Sequence, residues 1–273
     1  MEIKIAVVQF AINQFAPQDN LKRAEQFIEV ASSQAQLIVF PEDFVVGPLI
    51  GRRQFADYNG HYFRHFQHLA SKYTIDIVPG SIPEGTEAGI YNTTCYIDRN
   101  GNVLGKYRKV NLWIPERAYN TPGTESCVFQ TRFGKVGLII CWDLIFPEIF
   151  RAMVREGVEM VICPSYWCLE DAGEGMKYDE NSEIKLVNAL CVTRAFENEI
   201  VLVYTNAAGR LDYEGNTGTL IGQSQVTVPF KGSLGTMEHN KEEMRYFVVN
   251  TSILDGAEKV YKIREDLRKM ALS

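Results

Sequence analysis

Several expected strands in this sequence lead straight into residues able to do chemistry. LIVF (37–40) runs into Pro41-Glu42, the segment ending at Tyr107 into Arg108-Lys109, GLII (137–140) into Cys141-Trp142-Asp143, and VIC (161–163) into Pro164-Ser165. In an α/β fold the carboxyl ends of parallel strands converge on one edge, where loops carry ligand sites. A carboxylate, an ammonium and a thiol could meet there. Taken singly, each has a plainer reading. Cys141 ends an apolar strand shortly before a helix start at Pro147, a setting like a nucleophile elbow, yet free cysteine also packs as a small hydrophobe, and Cys163 occupies a similar place. Glu42, directly after a buried run, must be solvated, hydrogen-bonded or shifted in pKa. Lys109, close to Lys106 and Arg108, also fits a solvated edge strand.

Other chemistries are less well supplied. Three of the four histidines, His61, His65 and His68, fall on one face of a helix, but no acidic or thiol partner completes a metal site, so a polar helix face is the expectation. Cys163 and Cys168 form a C-x4-C pair with no second pair beside it. No histidine stands near Cys141, which disfavours a Cys-His protease arrangement. The six cysteines are scattered through a chain without a secretory leader, so free and mostly buried thiols are expected. With 28 basic against 34 acidic residues, the charge of −6 has the wrong sign for a general nucleic-acid or anionic-membrane binder. No apolar run approaches the roughly 18 residues of a membrane span, and the expected location is cytoplasmic.

The elements that must position these residues follow from periodicity. A strand is expected over 3–10, then a helix from Asn20 to about Ser33 with Leu21, Ala24, Phe27, Ile28 and Ala31 on one face. The LIVF run suits a strand covered on both faces and stops at Pro41. A helix from His61 to Tyr73 precedes strands at 75–78, 91–97 and 103–109, the last two joined at Arg99-Asn100-Gly101. A strand pair follows at 126–131 and 135–140, and a helix starts at Pro147-Glu148 with an acidic first turn. Strands at 158–163, 200–204, 223–228 and 244–250 flank a helix over 183–197. With 273 residues, 46% of them hydrophobic, and no internal repeat or low-complexity linker, one compact α/β domain over 1–273 is the economical reading, 251–273 being a possible C-terminal arm.

Taken together, the segments IAVVQF, FPEDF, GKYRKVNLW, ICWDLIFPE, RAFENEIVLVYTNAAG and GQSQV, in that order, resemble the nitrilase superfamily of carbon-nitrogen hydrolases over almost the whole chain. The resemblance implies a four-layer α-β-β-α sandwich and pairing of protomers through helices into a homodimer or higher homo-oligomer. It maps a Glu-Lys-Cys triad onto Glu42, Lys109 and Cys141, and a second glutamate onto Glu116. It further implies a thiol hydrolase that cleaves a non-peptide C–N bond of a small amide or N-carbamoyl compound through a Cys141 thioester, releasing ammonia or an amine. The Trp142 backbone N–H would help hold the oxyanion, and no metal or other cofactor has a task. The alternatives are a catalytically silent binding or regulatory member of the fold, or an acyl transferase to an amine.

C-W-D after the strand resembles amidase and carbamoyl-hydrolase branches more than nitrile-cleaving ones. Action alone on a small molecule is expected, without an appended glutamine-amidotransferase partner domain, nucleic acid or membrane. Tyr166 and Trp167 are candidate pocket walls. The acidic stretch from Glu170 through Asp171, Glu174, Asp179 and Glu180 could favour a cationic substrate tail, or be a solvated loop.

Overall fold

A computed structural model describes residues 1–213 and 216–270. The first part of the chain forms β1 (Glu2–Gln9), α1 (Pro17–Ser32), β2 (Leu37–Val39), α2 (His61–Tyr73), β3 (Asp76–Val78), β4 (Ser81–Thr86), β5 (Gly89–Ile97) and β6 (Val103–Arg108). The middle continues with β7 (Val128–Thr131), β8 (Gly134–Leu138), α3 (Pro147–Arg155), β9 (Met160–Ser165), α4 (Ser182–Asn198) and β10 (Val201–Asn206). It closes with β11 (Arg210–Tyr213), β12 (Asn216–Thr219), β13 (Gln225–Val228), β14 (Gly232–Thr236), β15 (Glu243–Asn250), α5 (Ser252–Tyr261) and α6 (Ile263–Met270).

Two sheets result. One has the order β15-β1-β2-β3-β5-β4 with β6 also on β5, and the other the order β14-β13-β10-β9-β8-β7. Strand alternation sorts the core into layers. Ile3, Ile5 and Val7 of β1 pack with Leu37, Val39 and Val78 against Leu138, Ile162 and Val203 of the facing sheet. Ala6, Val8, Ile38 and Ile77 point the other way, onto Leu21, Ala24 and Ile28 of α1 and Phe66 and Leu69 of α2. Helices α3 and α4 cover the second sheet through Phe150, Met153, Val187 and Cys191. This is the expected four-layer α-β-β-α sandwich. Each fully buried Leu, Ile or Phe contributes about 1.5–3 kcal/mol relative to exposure, so these layers dominate the energetics that fix the sheet edges.

Helix α1 begins at Pro17 rather than Asn20, because proline suits the first helical position. Expected strand ends are shifted by a few residues, and β4, the β11–β12 hairpin and β14 were not anticipated. The C-terminal helices fold back on their own chain: α6 packs on α3 and α4, and the Arg264 side chain donates to the Val158 carbonyl and, at 3.0 Å, to that of Glu199.

Topology decides which strand ends meet. β1, β2 and β3 are mutually parallel, as are β8, β9 and β10. β5 runs antiparallel to β3, and β6 antiparallel to β5, so β6 finishes at the same edge as β2 and β3. Glu42 N–H reaches across to the Ser165 carbonyl at 3.2 Å, joining the two sheets at that edge.

Candidate active site

Each key side chain stands just past a strand end. Glu42 follows β2 on a turn that Gly80 makes possible: its φ is +58°, and a Cβ there would lie 1.8 Å from the Pro41 carbonyl oxygen. Lys109 follows β6 and is pinned on both sides of its peptide, its N–H donating to the Asn92 carbonyl at 2.9 Å and its own carbonyl accepting from Gly123 N–H at 2.8 Å. Gly123 lies so near Arg108 that a Cβ would come within 2.2 Å of its carbonyl oxygen.

Cys141 opens a 3₁₀ turn, Cys141–Ile145, directly after the apolar run from β8. Its φ of +45° is left-handed, a conformation that costs a non-glycine residue about 1–3 kcal/mol and is held only by over-determined surroundings. Asp143 supplies the restraint. One of its carboxylate oxygens accepts from Ile140 N–H at 3.0 Å and Tyr107 Oη at 2.8 Å, and the other accepts from Asn111 N–H and Asn111 Nδ2, each at 2.9 Å. This fully buried carboxylate thus ties the Cys141 turn to the segment after Lys109. Trp142 N–H sits in the first turn of the 3₁₀ segment, where N–H groups lack a partner within the turn.

The charged groups converge. Lys109 Nζ lies 2.8 Å from Glu42 Oε1 and 2.6 Å from Glu116 Oε2, with the lysine only 1% exposed. Asn92 Nδ2 donates to both carboxylates, at 2.7 Å to Glu42 and 3.0 Å to Glu116, and Trp113 N–H donates to Glu116 at 2.9 Å. Burial alone would discharge the lysine, but Glu116 and Glu42 outweigh it and hold the Lys109 pKa well above its ordinary value. Two carboxylates around one ammonium leave an excess negative charge. Burial, with Glu116 adding to it and Lys109 opposing, lifts Glu42 to about 7. Burial and the nearby Glu42 charge push the Cys141 thiol up, so it rests protonated; its Sγ donates to the Tyr166 carbonyl at 3.7 Å. A base near neutrality, a fixed cation and a thiol are the parts that nucleophilic attack on a carbonyl needs.

All four groups line one cavity of about 540 Å³, a size that suits a small molecule. Tyr166 and Trp167 also line it, with the Trp167 indole donating to Glu183 and stacked at a tilt 5.6 Å from Trp142. Glu170 reaches the rim, but Thr219 N–H and Oγ1 occupy both its oxygens, at 2.7 and 2.8 Å, so it fastens β12. Of the other acidic residues in that stretch only Asp171 lines the cavity; Glu174 pairs with Lys177 and Asp179 with Lys185 on the surface. Cys163 is sealed inside β9 and His61, His65 and His68 lie on α2, away from the cavity. Sequence reasoning did not single out Asn92, Asp43, Trp113 or Tyr119. Asp43 alone carried a signal, a second carboxylate immediately after Glu42.

This sandwich and edge-on site define a hydrolase-like α/β scaffold, and comparison with known proteins makes the class specific. The chain belongs to the carbon-nitrogen hydrolase family, whose family model matches residues 4–251, and it is an enzyme acting on non-peptide C–N bonds. It is 32% identical to a probable nitrilase of Schizosaccharomyces pombe over 96% of this chain and 93% of that one. The crystal structure of Nit3 from Saccharomyces cerevisiae, a nitrilase-superfamily member, superposes with a TM-score of 0.82 at 26% identity, covering 95% and 94% of the two chains. A variant of the amidase from Nesterenkonia sp. AN1, bearing the acetamide moiety of fluoroacetamide on its active-site cysteine, matches with a TM-score of 0.78 at 27% identity over 92% of this chain and 91% of that one. Among the described residues no helix is long and apolar enough to cross a membrane.

Proposed function

We propose that this chain hydrolyses a small amide or N-carbamoyl compound through a thioester on Cys141. The observation that carries the reading is the buried Lys109 ammonium held between Glu42 and Glu116 in the cavity that Cys141 lines. Glu42 takes the thiol proton as Cys141 Sγ bonds to the carbonyl carbon, and the carbonyl π pair moves to oxygen. Lys109 and the Trp142 N–H meet that charge. On collapse the C–N bond breaks, and the proton held by Glu42 passes to the departing nitrogen, releasing ammonia or an amine. Glu42 then takes a proton from water, whose oxygen attacks the thioester; the C–S bond breaks and the proton passes from Glu42 to the departing sulfur, restoring the thiol and the base. Glu116, anchored by Trp113 N–H and Asn92, keeps Lys109 charged and aimed. The adduct on the cysteine of the Nesterenkonia amidase supports the thiol as nucleophile here, and the C-W-D sequence supports an amide over a nitrile.

The test is ammonia release from a panel of ω-amides, N-carbamoyl amines, N-carbamoyl amino acids and simple nitriles. Release from an amide or carbamoyl member, lost by at least about 10⁴-fold in Cys141→Ala, is the expected result. Release that survives in Cys141→Ala, or from nitriles alone, overturns it.

A further inference from the structure

Five acidic side chains line the cavity, Glu42, Asp43, Glu116, Glu170 and Asp171, against one basic lining residue among those described, Lys109. Lys109 is already committed to two carboxylates, so a carboxylate on a substrate would find no free cation. The acidic groups differ in what occupies them. Glu42 and Glu116 hold Lys109 and Asn92, Glu170 holds Thr219, and Asp171 accepts from Cys168 N–H at 2.8 Å. Asp43 is 8% exposed, and its carboxyl has no hydrogen bond or ion pair among the described residues. The contrast with Asp143 is direct: that buried carboxylate collects four donors and does not line this cavity, whereas Asp43 has none and lines it. The Asp43 oxygens open onto the cavity and are not sealed in the core, so a cation entering there meets a carboxyl that no donor among the described residues has claimed.

The surroundings narrow the ligand. Tyr119 and Tyr166 line the same cavity, together with Trp113 and Trp142, whose ring centroids are 4.4 Å apart. Aromatic faces beside a carboxylate favour an organic cation, which gains both Coulomb and cation–π attraction as water is excluded. Resting on the hydrolase reading above, we propose that Asp43 is a specificity-determining residue that seats the primary ammonium of an amino-amide or amino-carbamoyl substrate. Asp171 adds negative field at the same cavity, and the surface carboxylates from Glu174 onward take no part. Burial and the Glu42 charge raise the Asp43 pKa well above its ordinary value, so an arriving ammonium also draws this carboxyl into its charged form.

The experiment compares ω-aminoalkanamides of three to six carbons with n-alkanamides of the same length, in which methyl replaces ammonium, and with ω-carboxyalkanamides. At pH 8 the wild-type enzyme is expected to prefer the best aminoalkanamide over its alkyl match by about 10- to 100-fold in kcat/KM, and to act worst on the carboxylates. In Asp43→Asn that ratio should fall to within about threefold of one; asparagine tolerates the left-handed backbone at this position, where φ is +53°. Equal wild-type turnover of the three series, a carboxylate preference, or a wild-type ratio retained in Asp43→Asn overturns the assignment. Calorimetric titration of Cys141→Ala with the same compounds reads the preference without chemistry. If the alkanamides are hydrolysed and the ammonium preference is absent, the hydrolase reading stands and this inference falls. If nothing is hydrolysed and Cys141→Ala still binds the aminoalkanamide at least tenfold tighter, with Cys141→Ala/Asp43→Asn losing that margin, the inference stands and the hydrolase reading falls.

Discussion

Cys141 and Cys163 stand near the carboxyl ends of two adjacent parallel strands of the same sheet, and their environments could hardly differ more. Cys163 stays in the ladder of β9, is fully buried in the core and has the Ser165 hydroxyl 3.5 Å from its sulfur. Burial pushes its pKa up to about 12, and it does not line the cavity. Cys141 has left the ladder: three residues past β8 the backbone turns to a positive φ, which carries the sulfur to the cavity that Lys109 and Glu42 also line. Both thiols rest protonated, so thiol acidity is not what separates them. Access and a nearby base separate them, and both come from the turn.

The largest effect that would break this comparison is chemical. Iodoacetamide, small and amide-like, is expected to alkylate Cys141 at least about 10³-fold faster than Cys163, as read by peptide mass spectrometry over time, because only Cys141 can pass its proton to a base as it reacts. Equal rates, or faster labelling of Cys163, would show that the turn confers nothing.

A smaller effect concerns what holds the turn. In Asp143→Asn one oxygen must serve in place of two, and the amide NH₂ is set against donors. With the restraint on Cys141 and on the segment after Lys109 loosened, kcat is expected to fall about 10²-fold while KM changes by less than about threefold. The split matters, since a merely unfolded fraction lowers the amount of active enzyme without altering the pH profile. Restraint lost at the nucleophile should also blunt the rise of kcat/KM through about pH 7 that the Glu42 base produces. A profile and kcat like those of the wild type would make Asp143 structural only.

The same contrast explains how much could be read beforehand. Glu42 and Cys141 each follow an apolar run and Lys109 follows a mixed strand, so strand patterning allowed the three to meet at one edge, and the family resemblance made them a triad and supplied Glu116. Asn92 lies in the middle of β5 at the head of the polar run Asn92-Thr93-Thr94, and nothing local distinguishes an asparagine that bridges two carboxylates from one facing solvent. Asp43 was passed over beside Glu42, because which of two neighbouring carboxylates gains a partner depends on β5 and the loop after β6, both distant in sequence. The SIPEGT of β4 holds Pro83 and Gly85, which erase the strand signal and are tolerated only at an edge. In the stretch after β9 the acidic residues looked alike, yet Glu174 and Asp179 found surface lysines while Glu170 found Thr219. Charge patterning registers such a cluster but not the partner of each member.

The smallest expected effect sharpens the comparison from the side of the base. Cys163 sits comfortably because it is neutral at every ordinary pH, whereas Glu42 works by being near its charge transition in a buried place. Its folded-state pKa of about 7 lies above the ordinary 4.5, so the unfolded chain loses that proton first. The stabilisation that this carboxyl contributes is therefore present below about pH 4.5 and is lost as the pH rises through 7. Glu42→Gln does not titrate in this window. Its stability relative to wild type should grow from near zero at pH 4.5 to about 1–3 kcal/mol at pH 8, read from urea denaturation at each pH, while kcat drops by about 10³-fold. A stability difference that does not change with pH would mean that the excess negative charge around Lys109 is relieved elsewhere, and that the base at this edge is not held in tension by its burial.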